Sequence, residues 1–480
     1  MAPAFPRVQA AAIDGRFDTI YHRQVELESL CKALIDNVNE IKQAIAADSG
    51  HTPAEVAVEY HRALSAVKRD YATLEPVKAH EQEYLIANGK DASHRRTPAG
   101  VVYIEPTTHT LFYSTIAPLS AALAAGNTVI VLLENNLRAV PGLLRRLLPA
   151  SLDADAVAIA SKPVQDNELP ASAIRVLQNG VDGIPRLNQL TSQSGSAVVA
   201  VVDRTADVNL AARELVAARF RFGGRSPYAP DVVLVNEFVK KDFLHAVVSE
   251  TVQVLNTAGL DNNTAGSNQV GDSIKRLQES NPNMRIISQE GKAAVVELSS
   301  RTGIVGTKMS APIFAVHAVK SLDDAIDLVG SQSTAPALAA YHFGNPKTGK
   351  YLSQFIAAEA SFVNHVPHEL LIGPAWPSGR PVDTACHYPI EALSVARPVG
   401  IKPSTRSEQM ASALSTKSNT VSQKLTAEAT APLKAFKRNP GGGVGFFEQG
   451  FLYNAGFLLV STVIASATGG FWLWRNSRRA

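Results

Sequence analysis

The sequence predicts an α/β protein of two successive parallel-sheet domains, closed by a C-terminal transmembrane helix. Between residues 100 and 160, short apolar runs alternate with helical stretches as β-α-β-α-β, a pattern that requires a parallel sheet with helices on its faces. The same alternation returns between residues 197 and 255. Near the end, Phe451 to Trp474 is a run of 24 residues without a charged side chain, long enough to cross the hydrocarbon core of a bilayer.

Each element has a local cause. Leu27, Leu30, Cys31, Leu34, Val38, Ile41 and Ile45 recur on one helical face, and Gly50 stops that helix. Cys31 belongs to the stripe and reads as a core filler. Thr52-Pro53-Ala54-Glu55 is a capping box with proline at the first helical position, opening a second helix through Tyr60, Leu64, Val67 and Tyr71. Strands are expected at 100–104, 128–133 and 156–160, with helices at 111–125 and 140–148 between them. The second domain reads as strand 197–202, helix 207–222, strand 232–235 and helix 238–255, with later strands at 293–298, 312–319 and 361–366.

Bulk properties narrow the function. Of the 480 residues 45% are hydrophobic and 19% charged, as in ordinary globular proteins. A net charge of +3, with no basic stripe, argues against a nucleic-acid partner. Two cysteines, Cys31 and Cys386, form no disulfide framework and suit a reducing compartment. Met1 to Asp14 has no signal-peptide pattern. Ser404 to Pro440 is rich in Ser, Thr, Lys and Ala and is expected to be a flexible tether. Gly441-Gly442-Gly443-Val444-Gly445 reads as a hinge, since no strand precedes it as a dinucleotide loop needs. Tyr453, Trp472 and Trp474 suit the interfacial belts of a membrane span. Lys434, Lys437 and Arg438 balance Arg475, Arg478 and Arg479, so charge leaves the orientation open. A lone terminal anchor implies a cytosolic body on the endoplasmic reticulum or another organelle surface. The expected domains are 1–190, 191–402, a linker at 403–450, the span at 451–474 and a basic tail at 475–480.

Several motifs, in order, resemble the aldehyde dehydrogenase superfamily, particularly its class 3, fatty-aldehyde branch. Ala117-Pro118-Leu119 through Ala124-Ala125-Gly126-Asn127-Thr128-Val129 is similar to the helix, turn and strand under that family's cofactor. Thr97 to Ile104, Leu148-Pro149, Ser321 to Ile326, Ala337 to Phe343 and Ala360 to Asn364 continue the likeness. Phe222-Gly223-Gly224-Arg225-Ser226-Pro227-Tyr228-Ala229-Pro230-Asp231 resembles the nucleophile signature. The resemblance implies two Rossmann-like domains, NAD or NADP as cofactor, a dimer, and oxidation of fatty aldehydes to acids.

The functional slots of the family hold other residues. Counting back from Ala229-Pro230-Asp231, Pro227 stands where the family has its cysteine, and a pyrrolidine ring cannot attack a carbonyl. Proline also lacks the backbone N–H of an oxyanion hole, and Thr108 falls in the slot of the oxyanion asparagine. Gln193 takes the place of the general base, and an amide accepts no proton from water near neutrality. Leu132 replaces the lysine that reaches the adenosine ribose, and Lys308 the glutamate that holds the nicotinamide ribose. The family's Gly-Ser element is missing between Ala160 and Gln193; Gly180 and Gly183 read there as a plain turn.

Other residues offer weaker chemistry. Ser226 neighbours the lost cysteine but has no nucleophile elbow around it. Cys386 and His387 are adjacent and so point apart in an extended segment. His365 and His368 show no metal spacing, and Asn262-Asn263-Thr264 reads as a turn. The expected function is a membrane-anchored pseudoenzyme that binds or scaffolds, as a homodimer or with an active relative, with an apolar aldehyde or lipid as its ligand. The alternative is an NAD(P)-dependent aldehyde oxidoreductase.

Overall fold

The computed structural model describes residues 5–180, 186–257, 264–290, 293–303, 308–309, 311–332, 335–415, 419–436 and 444–477. It opens with α1 (Pro6–Ile13), a helix the sequence pattern does not signal. The first apolar stripe forms two helices rather than one, α2 (Ile20–Asp36) and α3 (Val38–Ser49). Asn37 leaves the helical region at φ −107°, and its side-chain amide donates back to the carbonyl of Ala33. Gly50 ends α3 in the left-handed region, as a C-cap requires. Thr52 and Glu55 cap each other at the start of α4 (Pro53–Ala72), and α5 (Pro76–Glu83) follows.

After β1 (Arg96–Pro98) come β2 (Val101–Glu105), α6 (Leu111–Ala124), β3 (Thr128–Leu132), α7 (Ala139–Ser151), β4 (Val157–Ala160), β5 (Ile174–Leu177) and β6 (Gln189–Thr191). These strands form a parallel sheet in the order β4-β3-β2-β5-β6. Side chains alternate between faces: Val102 and Ile104 of β2 enter the main core with α6 and α7, while Val101 and Tyr103 enter a smaller cluster on the other side. That second face is covered by α1 through Val8 and by the β4–β5 connection through Val164 and Leu169. The connection holds only a short helical turn, Asp166–Glu168.

Asn127 pins the entry to β3. Its Oδ1 accepts from the N–H groups of Ala99 (2.8 Å) and Gly100 (3.1 Å), and its Nδ2 donates to the carbonyls of Ala122 and Leu393. Gly126 turns at φ 88°, where an added Cβ would lie 2.9 Å from the ring of Pro98.

The second sheet is assembled from β7 (Val198–Val202), α8 (Val208–Phe220), β8 (Val232–Asn236), α9 (Lys240–Thr257), α10 (Thr264–Ser280), β9 (Arg285–Glu290), β10 (Ala293–Leu298), β11 (Ile313–Val319), α11 (Leu322–Gln332), β12 (Ala339–Phe343), α12 (Pro346–Phe355) and β13 (Ser361–Val363). Its order is β13-β12-β7-β8-β11-β10-β9, with β9 antiparallel to β10 and the other pairs parallel. Strand β14 (Ser394–Ala396) pairs with β1 in a separate antiparallel ribbon. The chain thus has an aldehyde dehydrogenase-like α/β fold.

Residues Met1–Lys402 form one compact unit and Pro403–Ala480 a second. The expected flexible tether contains two helices instead, α13 (Thr405–Ser415) and α14 (Asn419–Thr430). Ala, Gln, Glu, Lys and Leu favour helix without any buried face, Ser404 caps α13 by accepting the Ser407 N–H, and Arg406 pairs with Glu428. Helix α15 (Phe446–Ser477) contains the apolar stretch Glu448–Gly469, 22 residues long, somewhat before the expected span. Gly183, Asn262, Asn263, Gly441 to Gly443 and the side chains of Trp472 and Trp474 lie outside the described residues.

Asn127→Ala strips partners from four backbone groups in a buried turn. The expected cost is about 3 kcal/mol, read as a lower denaturant midpoint at unchanged slope.

Candidate functional site

The loop expected to carry the nucleophile joins α8 to β8. Phe222, Gly223 and Gly224 all take left-handed conformations, with φ of 52°, 65° and 67°. Phe222 is held there by its N–H, which donates to Glu55 Oε1 at 2.7 Å, so the capping glutamate of α4 also anchors this loop. At Gly224 a Cβ would meet the carbonyl of Arg219 at 2.9 Å and Pro312 Cα at 3.0 Å. The turn therefore sets the path of Arg225 to Asp231 by steric necessity.

Asp231 is the hub of the site. Its buried carboxylate accepts from the N–H groups of Val198 (2.8 Å) and Met309 (2.9 Å) and from Lys308 Nζ (3.0 Å). Arg219, fully buried, stands 3.7 Å away. Four carbonyls, of Pro230, Gly224, Met309 and Ala311, take up the Arg219 guanidinium. Burial lowers the pKa of Arg219 to about 10, and burial likewise lowers that of Lys308 against the pull of Asp231. Lys308 Nζ also donates to the backbone carbonyl of Pro227 at 2.5 Å. An ammonium group thus clamps the backbone of Pro227.

The remaining candidates scatter. Thr108 is exposed; its neighbour His109 is the buried side chain that faces this region, with Nε2 2.9 Å from the carbonyl of Leu371 and its ring edge-on to Phe222. Burial lowers the His109 pKa to about 4, so it is neutral. In the sequence the one cue for it was a histidine just ahead of an apolar helix, which does not fix the direction of its side chain. Gln193 is exposed and accepts a long hydrogen bond from Ser196 within its own turn. Ser226 is buried; its Oγ accepts the Tyr228 N–H at 3.2 Å and reaches the carbonyl of Leu370, which makes it a turn cap. Cys386 is half-buried beside Arg69 and Asp70, and His387 stacks on Trp376 at 3.8 Å in the core, so the two part as expected from adjacent residues. His365 and His368 are exposed, and the described residues hold no group of three metal-ligating side chains.

In an open parallel sheet the ligand crevice lies at the carboxyl ends of the strands, where the crossovers reverse. Here that point falls between β2 and β5, and side chains bridge it. Gln178, fully buried, accepts the Thr107 N–H at 2.9 Å and donates to the carbonyl of Ser114 at 2.7 Å. Asn179 donates to the carbonyl of Pro106. Leu132 is packed into the apolar cluster beneath α1. Side chains thus bridge the crevice, Leu132 is an apolar core residue, and Lys308 is paired with Asp231. A cleft of about 1600 Å³ opens at the opposite, amino ends of the strands, between α1, α5 and residues 91–101.

A second cluster lies under Phe222. Glu59 of α4 is almost fully buried, and its Oε1 accepts the N–H groups of Phe112 and Tyr113 at the start of α6. Its other oxygen faces His51 Nδ1 at 3.9 Å, and the His51 ring packs edge-on against Phe222. Burial raises the Glu59 pKa to about 7, opposed by the two N–H groups, while burial lowers that of His51.

Two largely parallel sheets in this order, with a left-handed turn feeding β8, define an aldehyde dehydrogenase-like α/β fold. A sequence model described as the Aldehyde dehydrogenase family matches residues 10–140. The chain is 22% identical to the dimeric NADP-preferring aldehyde dehydrogenase of Rattus norvegicus, over 74% of this chain and 83% of that protein. It is 23% identical to aldehyde dehydrogenase family 3 member A2 of Mus musculus, over 71% of this chain and 75% of that protein. Among solved structures, the substrate-bound AldH of Staphylococcus aureus superposes with a TM-score of 0.65 at 19% identity, covering 84% of this chain and 94% of that one. The chain thus resembles the aldehyde dehydrogenase family in sequence and shares the fold of its solved members.

Asp231→Asn leaves two buried cations uncompensated and is expected to cost about 3–5 kcal/mol in chemical denaturation; Lys308→Met, which leaves Asp231 its two N–H donors and Arg219, costs less. Glu59 gives a pH signature. Its carboxyl ordinarily ionises near 4.5 and in the fold near 7, so the associated stability is complete below 4.5 and is lost as pH rises through 7. Glu59→Gln is therefore expected to gain stability relative to the parent chain between about pH 5 and about pH 8, read from paired denaturation curves.

Proposed function

We propose that this chain is a membrane-anchored, non-catalytic member of the aldehyde dehydrogenase family that acts by binding. One observation carries the reading: residue 227 is proline, its carbonyl clamped by Lys308, so no group there can form a covalent adduct with an aldehyde. The bridged crevice between β2 and β5 supports the further proposal that NAD and NADP are not held. Of the slots of the chemistry, Gln193 and Thr108 are exposed polar side chains without acid–base capacity near neutrality. Glu448–Gly469, with a mean hydropathy of 1.5, supports a C-terminal anchor, with the body on the cytosolic face of an organelle such as the endoplasmic reticulum. We further propose an organisation of 1–190 as the cofactor-type domain and 191–402 as the catalytic-type domain. A second copy or an active relative is the expected protein partner, and an apolar aldehyde or lipid the expected ligand.

Purified protein is expected to show no reduction of NAD or NADP with long-chain aldehydes, and no cofactor-dependent rise in melting temperature. Aldehyde-dependent reduction by the unmodified chain, abolished by boiling, would overturn the proposal. The variant Pro227→Cys with Gln193→Glu and Lys308→Glu restores the lost chemical groups; any activity it gains reports that the ligand tunnel persists.

A further inference from the structure

Charge is unevenly distributed along this chain. Residues 1–401 carry a net charge of −4, whereas residues 402–438 carry +5, with seven Lys and Arg against Glu408 and Glu428. Arg406 pairs with Glu428. Lys424 and Lys434 are exposed and enter no ion pair among the described residues. The same stretch displays large apolar side chains to solvent: Leu414 is 89% exposed, Leu433 97% and Phe436 93%. Helix α13 buries no residue at all. A basic segment interleaved with uncovered apolar side chains has the composition of an element that rests at a lipid–water interface.

Position selects the occupant. Eleven residues separate Phe436 from Glu448, where the apolar stretch begins. Fully extended, that is at most roughly 40 Å of chain. With α15 in a bilayer, the basic segment stays at the membrane surface, where each Lys or Arg near anionic headgroups contributes on the order of 1 kcal/mol.

We propose that the described residues between 404 and 436 form an electrostatic latch that lies on an anionic membrane surface, Lys424 and Lys434 toward the headgroups and Leu414, Leu433 and Phe436 toward the acyl boundary. The proposal rests on the reading of α15 as an anchor. The latch loosens as salt rises, because the Debye length falls from about 8 Å at physiological ionic strength to about 3 Å at 1 M.

The full chain, reconstituted into vesicles of phosphatidylcholine alone and of phosphatidylcholine with phosphatidylserine, separates the two claims. Flotation with either vesicle reads the anchor; amide hydrogen exchange of 404–436 reads the latch. Exchange is expected to slow several-fold on the mixed vesicles relative to phosphatidylcholine, and to recover in high salt. Lys424→Gln, which keeps the helix propensity of α14, combined with Lys434→Gln and Lys437→Gln, is expected to lose the slowing while still floating. Flotation with equal exchange on both vesicles overturns the latch and leaves the anchor standing. Protection of 404–436 that needs no anionic lipid also overturns it, assigning the segment to the chain's own acidic body. Failure to float overturns both.

Discussion

The buried carboxylate of Asp231 ties together three pieces of chain that meet nowhere else in sequence. It takes the N–H at the head of β7, the N–H and ammonium of the segment before β11, and the guanidinium at the end of α8. Removing such a carboxylate would leave two cations in a dry environment, a far larger penalty than the loss of one hydrogen bond. The path of the 222–231 loop therefore follows from this cluster and from the left-handed glycines that feed it. Lys308 belongs to the same logic. A carboxylate at that position would stand against Asp231 and repel it, whereas the ammonium attracts it and also captures the carbonyl of Pro227.

Buried polar and apolar contacts consolidate the first sheet as well. Where a doubly wound domain leaves a crevice between its two central strands, Gln178 and Asn179 span it with hydrogen bonds to the opposite loop. Where a second layer of helices would cover the sheet, α1 and an irregular connection supply the apolar cover, and Leu132 joins their cluster. Each change satisfies polar groups or buries apolar area, so each favours the fold.

The second unit shows the opposite balance. It buries little and exposes Leu and Phe side chains to water, and along its sequence basic residues outnumber acidic ones. Such a surface is stable beside something amphipathic and anionic. The proposed non-catalytic body and the proposed interfacial tail together suit a protein whose action is to be located and to bind.

Sequence alone determined the class of fold, because side-chain periodicity is a local property. The five-residue apolar runs at β2, β3, β7 and β8, the capping box at Thr52 and the Gly126-Asn127 turn each require only near neighbours. It also determined that position 227 has no thiol and no N–H, since those are facts of residue identity. Helix α1, the break at Asn37 and the helices at 405–430 escaped the pattern, for their signals lie in packing partners or in propensity without periodicity. Only tertiary structure decided that His109 rather than Thr108 turns inward, that Lys308 finds Pro227 and Asp231 across some eighty positions of sequence, and that Gln178 closes the crevice. Those are long-range electrostatic and steric choices. The direction of a side chain is settled by what is packed against it, and no local window of sequence contains that neighbour.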